Sequence, residues 1–461
     1  MASGGTWQTQ NKVRPGAYIN VVGVPKPLSS VGERGTVAVA MPLEWGEKVI
    51  ELTASEFISG AGLLKAGVAF TDENNSTIAP GFICRLILQG AQKVIIFRAN
   101  ATSATKAEMD TSGALGDLLV VTAKHKGAFG NRISFKIESS GGQYILKTFI
   151  DGNLSGTTKA PMLTDLAGDE LIDITWEDDA TYSSILNSEI LLSGGTNGSA
   201  LDTNWLSDAI SEFNTRAWDT FVCECSSAQQ AQVIAAIDAL RNDAGAKVQA
   251  VLYNATVDNE GIINVSEGTS YILTDGTIVR PEQVAYMVAG ITAGASLVTS
   301  NTGAVVADAI DLTGSGYPKT NEEIIAELNS GHFVLSRRSD GAIVVEKDIN
   351  SLHTFTSKKG YIFSKNRPLR VCDTVCNDIK LLFNKSYLGK QDNTDVGRDV
   401  FKADIIAYCK ELQRIGAIQN FDGATDIVVS AGNDVDAVLV ELWIQPVDSM
   451  EKLYMTINVG G

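Results

Sequence analysis

Apolar residues fall in two rhythms along this chain. One is the unbroken run: residues 93–98 (KVIIFR) are apolar between charged ends, the pattern of a strand buried on both faces of a sheet. That strand is expected at the centre of its sheet. Residues 35–42 read as a strand of small residues. The other rhythm is helical. In 398–415, Phe401, Ile405, Tyr408, Leu412 and Ile415 recur at intervals of four and three, and Gly416 follows. Between 196 and 345 the two rhythms alternate. Asp202 is placed to cap a helix carrying Trp205, Leu206, Ile210 and Phe213, and 221–223 is a short strand. Ser226 or Ser227 caps a helix with Val233, Ile234, Ile237 and Leu240 that ends near Gly245, and 248–253 is the next strand. Strand–helix–strand predicts parallel neighbours joined by a right-handed crossover. Pro281 opens a further helix, and Asn321 or Thr320 caps another that stops at Gly331.

Residues 101–195 have a different texture, rich in Gly, Ser, Thr and Asp with short alternating runs. Runs 133–138 and 144–150 flank SSGG at 139–142, a hairpin signal. The expected fold is multidomain, α/β and α+β. An α/β middle domain of 26–100 and 196–345 is interrupted by a β-rich insertion at 101–195, and an α+β C-terminal domain follows at 346–450. No internal repeat is visible. Residues 1–25 and 451–461 read as terminal arms. After the Pro15-Gly16 turn, Tyr18, Ile19, Val21 and Val22 have strand character with little nearby to pack against. Residues 438–444 and 453–459 also alternate as strands, joined through 446–448; in the second, Leu453, Met455, Ile457 and Val459 alternate with Tyr454, Thr456 and Asn458. An open strand edge recruits a partner, so these eight arm residues are the candidate subunit–subunit contacts.

Composition narrows the classes. The 461 residues allow about two to four domains of roughly 100–200 residues. With 54 acidic and 37 basic residues the net charge is −17, which argues against sequence-independent nucleic-acid binding. No stretch approaches the roughly 18–20 apolar residues of a membrane span. Residues 1–10 are polar without the apolar run of a secretory leader, so synthesis is expected in the cytoplasm. The six cysteines (Cys84, Cys223, Cys225, Cys372, Cys376, Cys409) are sparse and form no Cys-x-x-Cys, and free buried thiols are expected. Cys372 and Cys376 can share a helix face, but no second ligand pair follows at zinc spacing.

The search for chemistry finds no catalytic, cofactor-binding or metal-ligating residues. His125, His332 and His353 are isolated in sequence, with no nucleophile elbow or metalloprotease motif nearby. GGTNG at 194–198 comes nearest to a phosphate cradle, but it lacks the P-loop Lys and reads as a linker with a turn. Asp392, Asp395, Asp422, Asp426, Asp434 and Asp436 lack the spacing of a calcium loop and suit turns and caps. An α/β enzyme or small-molecule-binding protein stays open as an alternative, with its ligand at the carboxyl ends of the strands around 218–253. So does a self-assembling structural protein.

Longer strings carry a resemblance. NEGIINVSEG at 259–268, VAGITAGASLVTSN at 288–301, EKDINSLHTF at 346–355, GRDVFKAD at 397–404, IGAIQNF at 415–421 and DSMEKLYMT at 448–456 resemble contractile tail sheath proteins of phages and defective prophages of Gram-positive bacteria. PGAYIN at 15–20 is similar to the family's N-terminal arm. The likeness is strongest after about residue 255 and weakest in 101–195. It implies a non-enzymatic subunit that polymerises with itself in stacked six-fold rings around a tail tube, needing no cofactor. Contraction of that sheath drives the tube through a target envelope. The implied partners are the tube protein, baseplate and tail-terminator proteins, with no nucleic acid and no membrane. The implied place is a virion tail or phage-like particle, with the C-terminal domain innermost, insertions outward, and terminal arms adding strands to neighbours.

Overall fold

The computed structural model describes residues 4–5, 17–18, 32, 34–67, 80–110, 119–176, 186–198, 201–314 and 317–459. The chain is a mixed α/β, multidomain protein that divides into two compact units, one of 33–377 with 446–461, the other of 1–32 with 378–445.

The larger unit is organised by a seven-stranded sheet. Its strands, in chain order, are β1 (Thr36–Met41), β2 (Val49–Thr53), β3 (Lys93–Arg98), β4 (Thr220–Val222), β5 (Gln249–Tyr253), β6 (Ile262–Val265) and β7 (His332–Phe333). In space they run β7-β6-β5-β4-β1-β3-β2. All neighbours are parallel except β2, which closes one edge antiparallel to β3. The strand expected at the centre, 93–98, is therefore second from the edge. Burial on both faces marks an interior strand but does not rank it among interior strands.

Strand residues alternate between two cores. Val37, Val39, Val94, Ile96, Val222 and Val251 face one; Ala38, Ala40, Ile95, Phe97, Phe221 and Leu252 face the other. Helices α1 (Pro80–Leu88) and α4 (Pro281–Gly294) cover the first, and α2 (Trp205–Phe213) and α3 (Ser227–Asn242) the second. Because β4, α3 and β5 place two parallel strands side by side, the expected crossover unit is present. Ser226 and Gln229 form the capping box of α3. Thr320 and Glu323 do the same for the helix Asn321–Asn329. Helix α2 differs from expectation: its N-cap is Asn204. The Asp202 carboxylate instead accepts from the Thr102 N–H at 3.3 Å, which ties it to the loop after β3.

Strands between Lys106 and Leu191 stay out of this sheet. They form one four-stranded and one three-stranded antiparallel sheet, packed around Phe135, Ile137, Leu146, Leu166 and Ile172. Trp45 contributes to that core from outside. The hairpin Ile133–Ser140 with Gln143–Ile150 turns at Gly141 and Gly142, with φ of 63° and 76°. Both values suit a tight turn that glycine adopts without strain.

In the smaller unit, helix Asp395–Arg414 lies on the hairpin Ile427–Ala431 with Val438–Leu442. Its cap is Thr394, whose hydroxyl accepts from Gly397 N–H. Phe401, Ile405, Tyr408 and Leu412 are buried as their spacing predicts. Tyr387 packs against Phe401 with centroids 4.5 Å apart and the ring planes tilted by 53°. Tyr408 donates to Asp378, whose carboxylate also accepts from the Gly32 N–H at 3.0 Å.

Candidate assembly surfaces

In an open α/β sheet, ligands bind where the strand order reverses, at the carboxyl ends of the strands. Here that point lies between β1 and β4. Beyond β1, the chain's own side chains occupy the region. Buried Arg98 donates to the carbonyls of Leu43 and Gly46, each at 3.1 Å, and of Lys126 at 2.8 Å. Burial lowers its pKa below the ordinary arginine value. The Asn100 amide bonds both Leu43 N–H, at 3.0 Å, and Leu43 C=O, at 3.1 Å. Beyond β4, Cys223 and Cys225 are joined by a disulfide. This corrects the expectation of free thiols for that pair. Among the described residues, Cys84, Cys372, Cys376 and Cys409 form no disulfide.

No hydrogen bond links any two histidines among the described residues. His125 lies edge-on to Trp45 with centroids 5.0 Å apart, and burial lowers its pKa. His332 is in β7, its pKa likewise lowered by burial. His353 Nδ1 is 2.9 Å from the Ser351 carbonyl. Among the described residues no three His, Cys, Asp or Glu side chains are grouped to hold a metal ion. Asp422 and Asp426 cap a turn, with Asp426 accepting from Asp422 N–H at 2.8 Å. Gly194 to Gly198 forms a neck instead of a cradle: Thr196 pairs with Thr105, and the Asn131 amide bonds Gly195 through both its N–H and its C=O. A concavity of about 480 Å³ lies along the β-rich region, but its polar lining is self-paired, Arg132 with Asp151 and Ser134 with Glu189.

Exposed apolar surface gathers elsewhere. Leu453, Met455, Ile457 and Val459 are 83, 69, 73 and 89% exposed. Among the described residues, 453–459 form no strand, and both faces are exposed. The alternation expected of a strand is present in sequence, but a ladder needs a partner that the described residues do not supply. At the other terminus, Ala17–Tyr18 pair in parallel with Gly4–Gly5; Ile19, Val21 and Val22 lie outside the described residues. The hairpin Ile427–Ala431 with Val438–Leu442 has no third strand among the described residues. Val428, Leu439 and Trp443 are exposed on or beside it.

Sequence reasoning missed how the C-terminal segment is rooted. The Lys365 ammonium, on a side chain only 3% exposed, pairs with Glu451 and lies 3.4 Å from Asp448. Thr302 Oγ1 donates to Glu451 at 2.8 Å, and Arg367 donates to Ser449 at 2.9 Å. String 448–456 holds three of these residues, but their partners are remote in sequence and no local spacing points to them.

The chain's own side chains thus occupy the switch-point region, and the C-terminal segment and the open hairpin both present apolar side chains to solvent. The chain belongs to the phage tail sheath family and is a structural, non-enzymatic protein of that kind. The family model for the phage tail sheath protein central domain matches residues 199–351, and that for the phage tail sheath C-terminal domain matches 358–460. The phage-like element PBSX protein XkdK of Bacillus subtilis is 32% identical over 99% of this chain and 100% of its own length. The crystal structure of a sheath tail protein from Desulfitobacterium hafniense superposes with a TM-score of 0.74 at 33% identity, covering 95% of this chain and 99% of that one. The helical sheath of the anti-feeding prophage, in its contracted state, shares the fold alone: TM-score 0.56 and 11% identity over 97% of this chain and 99% of that one.

Proposed function

We propose that this chain polymerises in stacked six-fold rings around a tail tube, and that contraction of the resulting cylinder drives the tube through a target cell envelope. The observation that carries the reading is the C-terminal segment, whose alternating apolar residues are solvent-exposed and unpaired. Such a segment is a strand waiting for an edge, and the open hairpin offers one of the same kind. A donor and an acceptor of unlike kind on one chain make heterologous contacts, which generate rings and helical filaments. Contraction then needs no fuel, because two lattices of the same subunit differ in interface free energy and the trigger releases the higher one. The likeness to a helical sheath recorded in a contracted state supports this reading.

Within the subunit, 1–25 and 451–461 act as arms through Tyr18, Ile19, Val21, Val22, Leu453, Met455, Ile457 and Val459. Residues 26–100 with 196–345 form the middle domain, 101–195 the outward module, and 346–450 the inner domain. The partners are the tube, baseplate and terminator proteins of a virion tail or phage-like particle made in a bacterial cytoplasm. Among the described residues no helix is long and apolar enough to cross a membrane. Negative-stain microscopy of the purified protein tests the reading. Hollow cross-striated cylinders are expected; thin rods, closed shells or monodisperse particles under all assembly conditions would sink it.

A further inference from the structure

Unbroken exposure of the C-terminal segment begins at residue 452, although the Met450 side chain just before it also faces solvent. The Glu451 side chain is 13% exposed, whereas Leu453, two residues on, is 83% exposed. The change falls where polar contacts end. Glu451 is held by the Lys365 ammonium and the Thr302 hydroxyl, Asp448 by Lys365, and Ser449 by Arg367. Lys365 is the centre of this arrangement. A buried ammonium is costly unless compensated, and both of its recorded acidic partners come from the tail. The holding side is itself braced. Thr302 Oγ1 accepts from the Asp348 N–H at 2.9 Å, and the Asp348 carboxylate accepts from the Asn366 amide at 2.8 Å and from the Asn301 N–H at 2.9 Å. The tail root is therefore bound to a rigid polar frame, and the segment beyond it is free of the subunit.

We infer that Lys365 is a positioning residue for assembly: its pairing with Glu451 clamps the C-terminal segment at residue 451 and fixes the point from which the strand is delivered to a partner. This rests on the reading of 451–461 as a donated strand. A clamp at the root restricts where the free segment can reach and keeps it from peeling back along 446–451 when its far end is held by another subunit. The ion pair, not the apolar residues, then sets the register of delivery. The role differs from simple stabilisation, because methionine fills the space of the buried lysine but holds no carboxylate, and Glu451 and Asp448 then leave with the tail root for water instead of staying behind as uncompensated buried charges.

The test uses the full chain with Lys365→Met, Lys365→Arg and Glu451→Gln. Native thermolysin cleavage, read by intact mass, should stop beyond residue 452 in the wild type and in Lys365→Arg. In Lys365→Met it should advance into 446–451 while the melting temperature stays near wild type, and cylinder yield should drop at least tenfold. Should Lys365→Met not fold, Glu451→Gln carries the same cleavage prediction, because Asp448 still faces the ammonium. An unmoved cleavage boundary in whichever of Lys365→Met and Glu451→Gln folds, or normal cylinders from Lys365→Met, overturns the clamp. A chain truncated after Glu451 separates the two readings. If it forms normal cylinders the strand-donation reading falls, whereas the clamp is judged by the cleavage boundary alone.

Discussion

Arg241 and Asp373 meet in a fork, with Nη1 and Nη2 at 2.8 and 2.9 Å from the two carboxylate oxygens. Their side chains are 5% and 8% exposed. Burial raises the Asp373 pKa while Arg241 opposes that rise, and the two-pronged geometry is that of an ion pair. Removing one partner leaves an uncompensated buried charge. Asp373→Asn should therefore cost about 3–5 kcal/mol in urea unfolding, and the double change Arg241→Met with Asp373→Leu should recover most of it. If both variants unfold at the same midpoint, the pair is not the source of the loss. The disulfide gives a second expectation at this scale. Native alkylation without reductant should leave Cys223 and Cys225 unlabelled, and Cys223→Ser should expose one new reactive thiol at Cys225; two labelled residues in the untreated wild type would refute the bond. Neither pairing was legible in sequence. Arg241 and Asp373 are far apart along the chain. A Cys-x-Cys spacing becomes a bond only because β4 ends at Val222 and the chain turns before the cap at Ser226. Asp202 shows the same limit, since capping chemistry fits several residues and the fold selects the one whose backbone leads into the helix.

Elements were more legible than contacts. The crossover β4–α3–β5, the hairpin over 133–150 and the helix ending before Gly416 all follow from local periodicity and turn residues. The strict alternation at 453–459 predicts a strand, but the described residues form none there, because a ladder needs a neighbour. One element contact explains part of the string at 288–301. Helix α4 carries Gly290 and Gly294 against the end of α1 and the turn after it. A methyl at Gly290 would lie 2.2 Å from the Ile87 carbonyl oxygen, and one at Gly294 would lie 1.9 Å from that of Gly90. Backbone atoms cannot swing aside, so the helices would have to separate. Gly290→Ala should destabilise the chain by roughly 1–3 kcal/mol despite alanine's better helix propensity. Denaturant melts decide this: a variant as stable as wild type would mean the helices are not so closely packed in solution.

At the scale of the molecule, the β-rich region over 106–191 has its own sheets and core, and its two ends meet at the Thr105–Thr196 pair, whose hydroxyls are 2.8 Å apart. A short Gly-Ser link in place of 106–195 should therefore leave the seven-stranded sheet folded. Trp45 would lose its packing and Arg98 its bond to the Lys126 carbonyl, so the remainder should melt cooperatively at a lower temperature than wild type. Calorimetry showing no cooperative transition would mean that the region is needed for the rest to fold. The composition shift at 101–195 announced this change of texture, because turn residues and short alternating runs differ from the long runs of a parallel sheet. Trp45 did not announce itself, being a single apolar residue in a loop.

The open hairpin and the free C-terminal segment sit on the same chain. On the proposed reading each subunit carries plugs, its two terminal arms, and sockets of a different kind. Growth by such units has no internal stopping point, since every addition consumes one socket and presents another. A finished cylinder therefore has two chemically different ends, one with unfilled sockets and one with unplaced plugs. Its length has to come from a ruler outside the subunit, and each end calls for a different kind of stopper.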